Sequence, residues 1–183
     1  MVTNTDFLAM FESVMAKIKS EYLCYNFFTE RDFEWTVQKY LWDVIHKNNL
    51  SYEVFHNHPI EQRAFADLVI VRTGTSYRDI TLGKEKAEFI AEFKFEPSRR
   101  RTDFCEGKLK EPVVFWNEVN RDIDRILRFV ETKKTRSAVA VLIDEFGRFR
   151  DREINNRSTW IDWGNCGSDK HNISILLTSL RAE

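Results

Sequence analysis

Hydrophobic and polar residues alternate over residues 88–95, a pattern that is typical of a β-strand. Side chains two positions apart in a strand point to the same side and lie roughly 7 Å apart along it. Glu92 and Lys94 therefore share one face of the predicted strand. The opposite face is apolar and consists of Phe89, Ala91, Phe93 and Phe95. The pattern predicts a strand with one core face and one face that presents an acid beside an amine.

A second apolar run, residues 64–71, is hydrophobic on both faces except at Asp67. A carboxylate inside such a run is unfavourable unless it is paired or binds a metal ion. If the two runs are neighbouring strands, Asp67, Glu92 and Lys94 converge. Two carboxylates are the hard oxygen ligands that Mg²⁺ prefers. The two runs therefore predict a divalent-cation site beside an ammonium group, a combination suited to phosphodiester cleavage.

Two amphipathic helices are predicted before these strands, because apolar residues recur there every three to four positions. The first covers about residues 6–22, with Asn4 or Thr5 as its cap. The second runs from a cap at Thr29 to about His46, with acids in its first turn, where the helix dipole favours them.

The second helix carries side chains with two interpretations each. Glu34 borders the apolar stripe, so it is either an ordinary boundary glutamate or an acid presented toward the site. Gln38 lies one turn later and is able to join it. Trp35 and Trp42 are one heptad apart, and large aromatic residues at helical spacing are expected in the core.

A third amphipathic helix is expected from Pro112, which suits a first helical turn, with Phe115 opening its apolar stripe. Residues 137–143 follow as a continuous apolar run, which is typical of a buried strand. A strand, a helical crossover and a buried strand together predict an α/β fold with a mixed central sheet flanked by helices.

The remaining strands are less regular in sequence. Residues 50–58 alternate as a strand that is expected to stop at Pro59. His56 and His58 are expected on one face of it; without a third ligand at suitable spacing, a half-exposed strand end is favoured over a metal site. Residues 173–180 predict a last strand or a short edge element, and the turn-rich segment before them has no clear assignment.

Length and composition favour one globular domain over residues 1–183, with a helical extension at 1–28 and an elaboration at 144–183. The chain is 43% hydrophobic and 31% charged. No apolar run approaches the length of a membrane span, and the N-terminus lacks the pattern of a signal peptide. The three cysteines form no CxxC pair, which favours a reducing cytoplasm over disulfides or a zinc site.

The formal net charge is -1, so any binding of nucleic acid requires a local basic patch. Three consecutive arginines, Arg99, Arg100 and Arg101, follow directly after the strand that carries Glu92 and Lys94. A charge run is usually a solvated loop, but this one is placed where phosphates would pass.

In this order of elements, the sequence resembles the PD-(D/E)xK nuclease superfamily, whose members have the restriction-endonuclease-like fold. The resemblance covers residues 29–143 and rests on the αβββαβ order. It also rests on Asp67 in the second strand and on the E-x-K pattern of Glu92 and Lys94 in the third.

The family often adds a glutamate from the helix before the first strand. Glu34 matches that place, and Glu30 is the weaker candidate. Ala66 stands where the family motif has proline, at a position that varies within the family. The element order around the motif supports the resemblance.

The resemblance implies roles for individual residues. Asp67 and Glu92 would bind Mg²⁺ or Mn²⁺ together with the backbone carbonyl of Phe93. Lys94 would orient the attacking water or stabilise the growing negative charge. Glu34 would hold an outer water of the metal or a second ion.

The implied activity is metal-dependent hydrolysis of DNA, with Gln38 and the three arginines as nucleic-acid contacts and a homodimer as an option. Two alternatives remain. The chain is a catalytically silent module of the same fold that binds nucleic acid or a protein, or an α/β protein of unrelated function in which the motif is a coincidence.

Overall fold

The computed structural model describes residues 5–25, 27–98, 113–165 and 172–182. The helices in these parts of the chain are α1 (Phe7–Ser20), α2 (Glu30–Lys47), α3 (Tyr77–Thr81) and α4 (Trp116–Glu131), with a short 3-10 turn at Tyr22–Cys24. The strands are β1 (Tyr52–Glu61), β2 (Ala64–Arg72), β3 (Phe89–Glu96), β4 (Ser137–Asp144), β5 (Ser158–Asn165) and β6 (Asn172–Arg181). None of the helices in the described ranges is long and apolar enough to cross a bilayer.

The described strands form one six-stranded mixed sheet in the order β1-β2-β3-β4-β6-β5. Strands β3 and β4 are parallel, as the crossover through α4 requires, and the other neighbouring pairs are antiparallel. The predicted α/β class with a mixed sheet flanked by helices is therefore confirmed. Residues 173–180 lie in β6, the last described strand, as the first of the two predicted alternatives states. The second alternative, a short edge element, is wrong, because β6 pairs with β4 on one side and with β5 on the other.

Helices cover the two faces of the sheet and create two cores. On one face α1 and α2 pack against the sheet through fully buried aromatic side chains such as Phe11, Phe33 and Phe93. On the other face α4 packs through Ile123 and Phe129. Both faces of β3 are buried, so this strand lies in the centre of the fold.

The helix ends agree with the sequence in one case and differ in two. Thr29 caps α2 in a capping box with Asp32, as predicted. Helix α1 is capped by Asp6, whose side chain accepts from the Ala9 N–H, and not by Thr5, while Asn4 lies outside the described residues. Helix α4 begins at Trp116, after the position expected from Pro112, which itself lies outside the described residues.

Three expectations about burial and strand ends are wrong. Phe115 is 58% exposed and precedes α4, so it does not open the apolar stripe. Trp35 and Trp42 are exposed on α2 and do not reach either core. Strand β1 continues through Pro59 to Glu61, which is compatible with proline because β1 is an edge strand and needs fewer backbone donors.

The sheet has a local interruption at Asp67. Its neighbours Ala66 and Leu68 pack into different cores, although residues two apart in a regular strand share a face. The β1–β2 pairing skips this point, since it runs to His56↔Leu68 and resumes at His58↔Ala66. The residue of β1 at the gap, Asn57, has a left-handed backbone with φ of 48°. The interruption releases the Asp67 side chain from the regular in-and-out alternation.

We expect the left-handed backbone conformation of Asn57 to contribute to the stability of the fold, and its exposed side chain to contribute little. Asparagine tolerates the left-handed conformation and glycine adopts it freely, whereas a β-branched residue is disfavoured there by about 1–2 kcal/mol. Asn57→Gly should therefore leave the free energy of unfolding nearly unchanged, and Asn57→Val should lower it by about that amount. Urea denaturation measures both. Equal stability of the two variants would contradict the proposed importance of this conformation.

Candidate functional site

Strands β2 and β3 separate at the point where Asp67 and Glu92 are located. Their ladder consists of the three pairs from Ile70↔Phe89 to Leu68↔Ala91, whereas β3 continues alongside β4 to Glu96. Beyond the last pair, the Asp67 carboxylate accepts a hydrogen bond of 2.8 Å from the backbone N–H of Phe93. A side chain thus replaces the next backbone hydrogen bond between the two strands. We call the region beyond this point, where β2 and β3 separate at Asp67 and Glu92, the fork; it leaves room for polar groups.

The first two turns of α2 bring further acids to this fork. Carboxylate oxygens of Glu30, Glu34 and Asp67 lie within 4.8 Å of one another. Among the described residues, this is the group of acidic, histidine or cysteine side chains arranged closely enough to hold a metal ion. The sequence favoured Glu34 over Glu30 for this helix position, but the structure places both beside Asp67.

Glu92 is fully buried and faces α4. Nη2 of Arg125 lies 2.9 Å from its Oε2, yet neither oxygen of Glu92 has an aligned hydrogen-bond donor in the described ranges. Burial raises the pKa of Glu92 well above its ordinary value, and the nearby Asp67 carboxylate raises it further. The two acids of the motif therefore interact electrostatically, as expected if they point into one site, but Glu92 is outside the close cluster formed with α2.

Lys94 lies between two helices. Its Nζ is 3.1 Å from both carboxylate oxygens of Glu30 and 3.1 Å from Oδ2 of Asp122. It also donates a 2.7 Å hydrogen bond to the carbonyl of Phe93, the oxygen that the resemblance assigns to a metal ion. Burial alone would lower the pKa of Lys94, but the surrounding carboxylates outweigh it and raise the pKa. Lys94 is therefore a fixed cation at neutral pH and not a proton acceptor.

Helix α4 adds two residues that the sequence analysis did not select, Asp122 and Arg125, which form an ion pair with each other. Asp122 is 2% exposed, and burial raises its pKa despite the opposing effect of Lys94 and Arg125. The sequence contains a feature that could have identified Asp122. Asp122 lies three residues after Val119 and four before Ile126, so it is a charged residue within the apolar stripe.

Glu34 is buried beside the other acids and contacts a histidine. Burial, with Asp67 and Glu30 nearby, raises the pKa of Glu34 to about 8. Nδ1 of His56 lies 3.2 Å from its Oε2. The ring of His58 packs on Phe55, which borders the opposite core, so the two histidines face different sides of β1. The expected common face of the two histidines is wrong, because the left-handed residue between them turns the strand.

The remaining predicted contacts are elsewhere or undescribed. Nε2 of Gln38 donates to the carbonyl of Val54 at 3.4 Å, which links α2 to β1, so contact with nucleic acid stays a prediction for this side chain. Arg99, Arg100 and Arg101 lie outside the described residues.

Among the described residues, charge at the fork is unbalanced. Five carboxylates meet there, and the described cations in contact with them are Lys94 and Arg125, while His56 contacts Glu34. The carboxylates are Glu30, Glu34, Asp67, Glu92 and Asp122. Several buried acids of one sign repel one another unless they take up protons or a cation. The pKa values of Glu30, Glu34, Glu92 and Asp122 are raised, first by burial and then by the neighbouring carboxylates.

We expect the stability of the metal-free protein to fall as the pH rises from about 5 to about 8. The raised pKa of Glu34 means that the folded state holds a proton that the unfolded state has already released, so deprotonation opposes folding in this range. Glu92, Glu30 and Asp122 act in the same direction. Excess Mg²⁺ should flatten the dependence by stabilising the charged carboxylates.

Urea denaturation across this pH range measures the effect. Glu34→Gln should make the slope shallower, whereas Glu12→Gln, the same change at an exposed position of α1, should leave it unchanged. A slope in Glu34→Gln as steep as in the wild-type protein would show that Glu34 is not one of the groups responsible.

Comparison with known proteins identifies no relative: no family model, no curated protein and no solved structure matches the chain. The functional interpretation therefore depends on the residues of the fork and on the motif resemblance.

Proposed function

We propose that the protein is a metal-dependent endonuclease that hydrolyses phosphodiester bonds of DNA on a restriction-endonuclease-like αβββαβ core. One observation carries the proposal. Glu92 is fully buried, has no aligned hydrogen-bond donor in the described ranges and is close enough to Asp67 for the two carboxylates to interact. Arg125 offsets the charge of Glu92 from one side, but two interacting carboxylates, one buried and one half-buried, favour a further cation between them. An ordinary exposed Glu–Lys pair on a strand does not account for this arrangement.

The donor set fits Mg²⁺ or Mn²⁺. Every carboxylate ligand is a hard oxygen, and Asp67 is already fixed in orientation by the Phe93 N–H. Asp67 and Glu92 would hold the ion, and Glu34 and Glu30 would hold its waters or a second ion. When bound, such an ion lowers the pKa of water and offsets the charge of the phosphate.

The protein's own side chains supply the remaining requirements. Lys94 is held as a cation by Glu30 and Asp122, so it stabilises negative charge that develops on the phosphate oxygens instead of accepting a proton. Arg125 compensates Glu92 from the α4 side. Because these groups are mostly buried, their electrostatic interactions are stronger than they would be in water.

Two measurements test the proposal together. Supercoiled plasmid DNA should be nicked in Mg²⁺ or Mn²⁺ and left intact in EDTA. Titration calorimetry with Mn²⁺ should show a saturable site in the wild-type protein. Absence of both cleavage and metal binding would rule the proposal out, and metal binding without cleavage of DNA would restrict it to another phosphodiester substrate.

A second candidate function, a catalytically silent module that binds nucleic acid or a protein, is favoured by the exposed Trp35 and Trp42. It requires that no metal support cleavage and that binding survive the loss of Glu92. The complete set of Asp67, Glu92 and Lys94 argues against it, since a silent module has no need to maintain buried acids that repel one another.

A further inference from the structure

The outer face of α2 carries an aromatic and basic stripe, made of Arg31, Trp35, Lys39, Trp42 and His46, which we call the tryptophan stripe. All five residues are exposed. Trp35 is 54% exposed and Trp42 is 49% exposed. Tryptophan is buried in most folded proteins, so two exposed ones on one helix face need an explanation.

The helix geometry aligns the stripe. Residues seven positions apart lie on the same side of an α-helix, and the rise between Trp35 and Trp42 is roughly 10 Å. Lys39 lies between the two rings, one turn from each. The ring of His46 stacks on Trp42, with centroids 3.8 Å apart and an interplanar angle of 26°. This contact supports the orientation of one indole while leaving its other face open.

The charge of this helix surface is positive. The exposed charged residues along it are three cations, Arg31, Lys39 and Lys47, and one anion, Asp43. Asp32 is half-buried, and its negative charge lies at the helix start, where its carboxylate accepts from the N–H groups of Phe28 and Thr29. A positive surface with aromatic rings is unusual in a chain whose net charge is -1.

The tryptophan stripe begins in the same helix turns that carry two acids of the fork. The same helix carries Glu30 and Glu34 on its inner side in the first two turns, where they join Asp67. Arg31 and Trp35 directly follow these two acids in sequence. A polymer that lies along the stripe therefore has its end close to the candidate metal site.

We propose that the tryptophan stripe binds single-stranded nucleic acid, with unpaired bases stacking on Trp35 and Trp42 and phosphates contacting Arg31 and Lys39. The proposal rests on the nuclease function proposed above and specifies its substrate as a strand with an unpaired segment beside the cleavage point. Exposed rings can stack on bases only where the bases are unpaired, which excludes intact duplex as the ligand of this surface.

Binding is tested without cleavage. Fluorescence anisotropy measures binding of a labelled single-stranded 12-mer and, for comparison, of a duplex with the same sequence. The buffer contains EDTA, and every protein carries Asp67→Asn so that no cleavage occurs. Trp35→Ala and Trp42→Ala should each weaken single-strand binding at least about fivefold, because stacking on each ring is lost. Lys39→Glu should weaken binding and make it less sensitive to salt. Tyr77→Ala, an exposed aromatic outside α2, should have no effect.

The outcomes separate this proposal from the nuclease function. Unchanged single-strand affinity in both tryptophan variants, or tighter binding of the duplex than of the single strand, overturns the stripe as a nucleic-acid surface even if metal-dependent cleavage is observed. Loss of single-strand binding in both variants supports it even if no metal activates cleavage, in which case the nuclease proposal fails and the binding surface stands. Because both indoles are exposed, circular dichroism should show all variants folded.

Discussion

Asp67→Asn is expected to reduce metal-dependent cleavage at least about a hundredfold while the protein stays folded. Asparagine has the same shape and keeps an oxygen that accepts from the Phe93 N–H, so the fork is preserved. It lacks the negative charge that the cation requires, and charge stabilisation in a buried site is worth two to three orders of magnitude in rate. Plasmid nicking and Mn²⁺ titration calorimetry measure cleavage and metal affinity separately.

The matched control is Asp124→Asn, the same chemical change at an exposed position of α4. It should cleave as the wild-type protein does. If Asp67→Asn cleaved at the wild-type rate, the assignment of the metal site to this fork would be wrong, whatever the activity of the other variants.

Lys94→Met is expected to affect both activity and stability. The ammonium offsets Glu30 and Asp122, and it is 17% exposed, so its removal leaves buried acids without their partner. Breaking such a pair lowers the free energy of unfolding by about 3 kcal/mol at neutral pH, and less at low pH where the acids are protonated. Cleavage should fall at least about a hundredfold.

A second substitution separates these two effects. Glu30→Gln removes the carboxylate that contacts Lys94 through both oxygens, so Lys94→Met combined with Glu30→Gln should regain at least half of the lost stability. The double variant should stay inactive. Recovery of cleavage along with stability would assign Lys94 a structural role only.

The periodicity of hydrophobic residues alone was sufficient to predict the central strands of the fold. The alternation of 88–95 and the apolar run of 64–71 correspond to β3 and β2, and the cap at Thr29 is where predicted. These features are local: they depend on two-residue or four-residue spacing and on the chemistry of a helix end. The grouping of Asp67, Glu92 and Lys94 then follows from strand adjacency.

Other features depend on contacts between distant segments, which a single sequence does not specify. Arg125 and Asp122 acquire their role because α4 crosses β3, and Trp35 and Trp42 are exposed because no other element covers that side of α2 in the described ranges. The interruption at Asp67 depends on the backbone of Asn57, one strand away. The position of β6 inside the sheet depends on pairing with β5 from a segment of weak pattern.

The fork joins both layers of the molecule, because its acids come from α2 on one face, from two central strands and from α4 on the other. An ion held there would tie the two cores together. Amide hydrogen exchange should consequently slow on both sides of the sheet when Mg²⁺ is added, and a chelator should loosen the domain as a unit instead of loosening one loop.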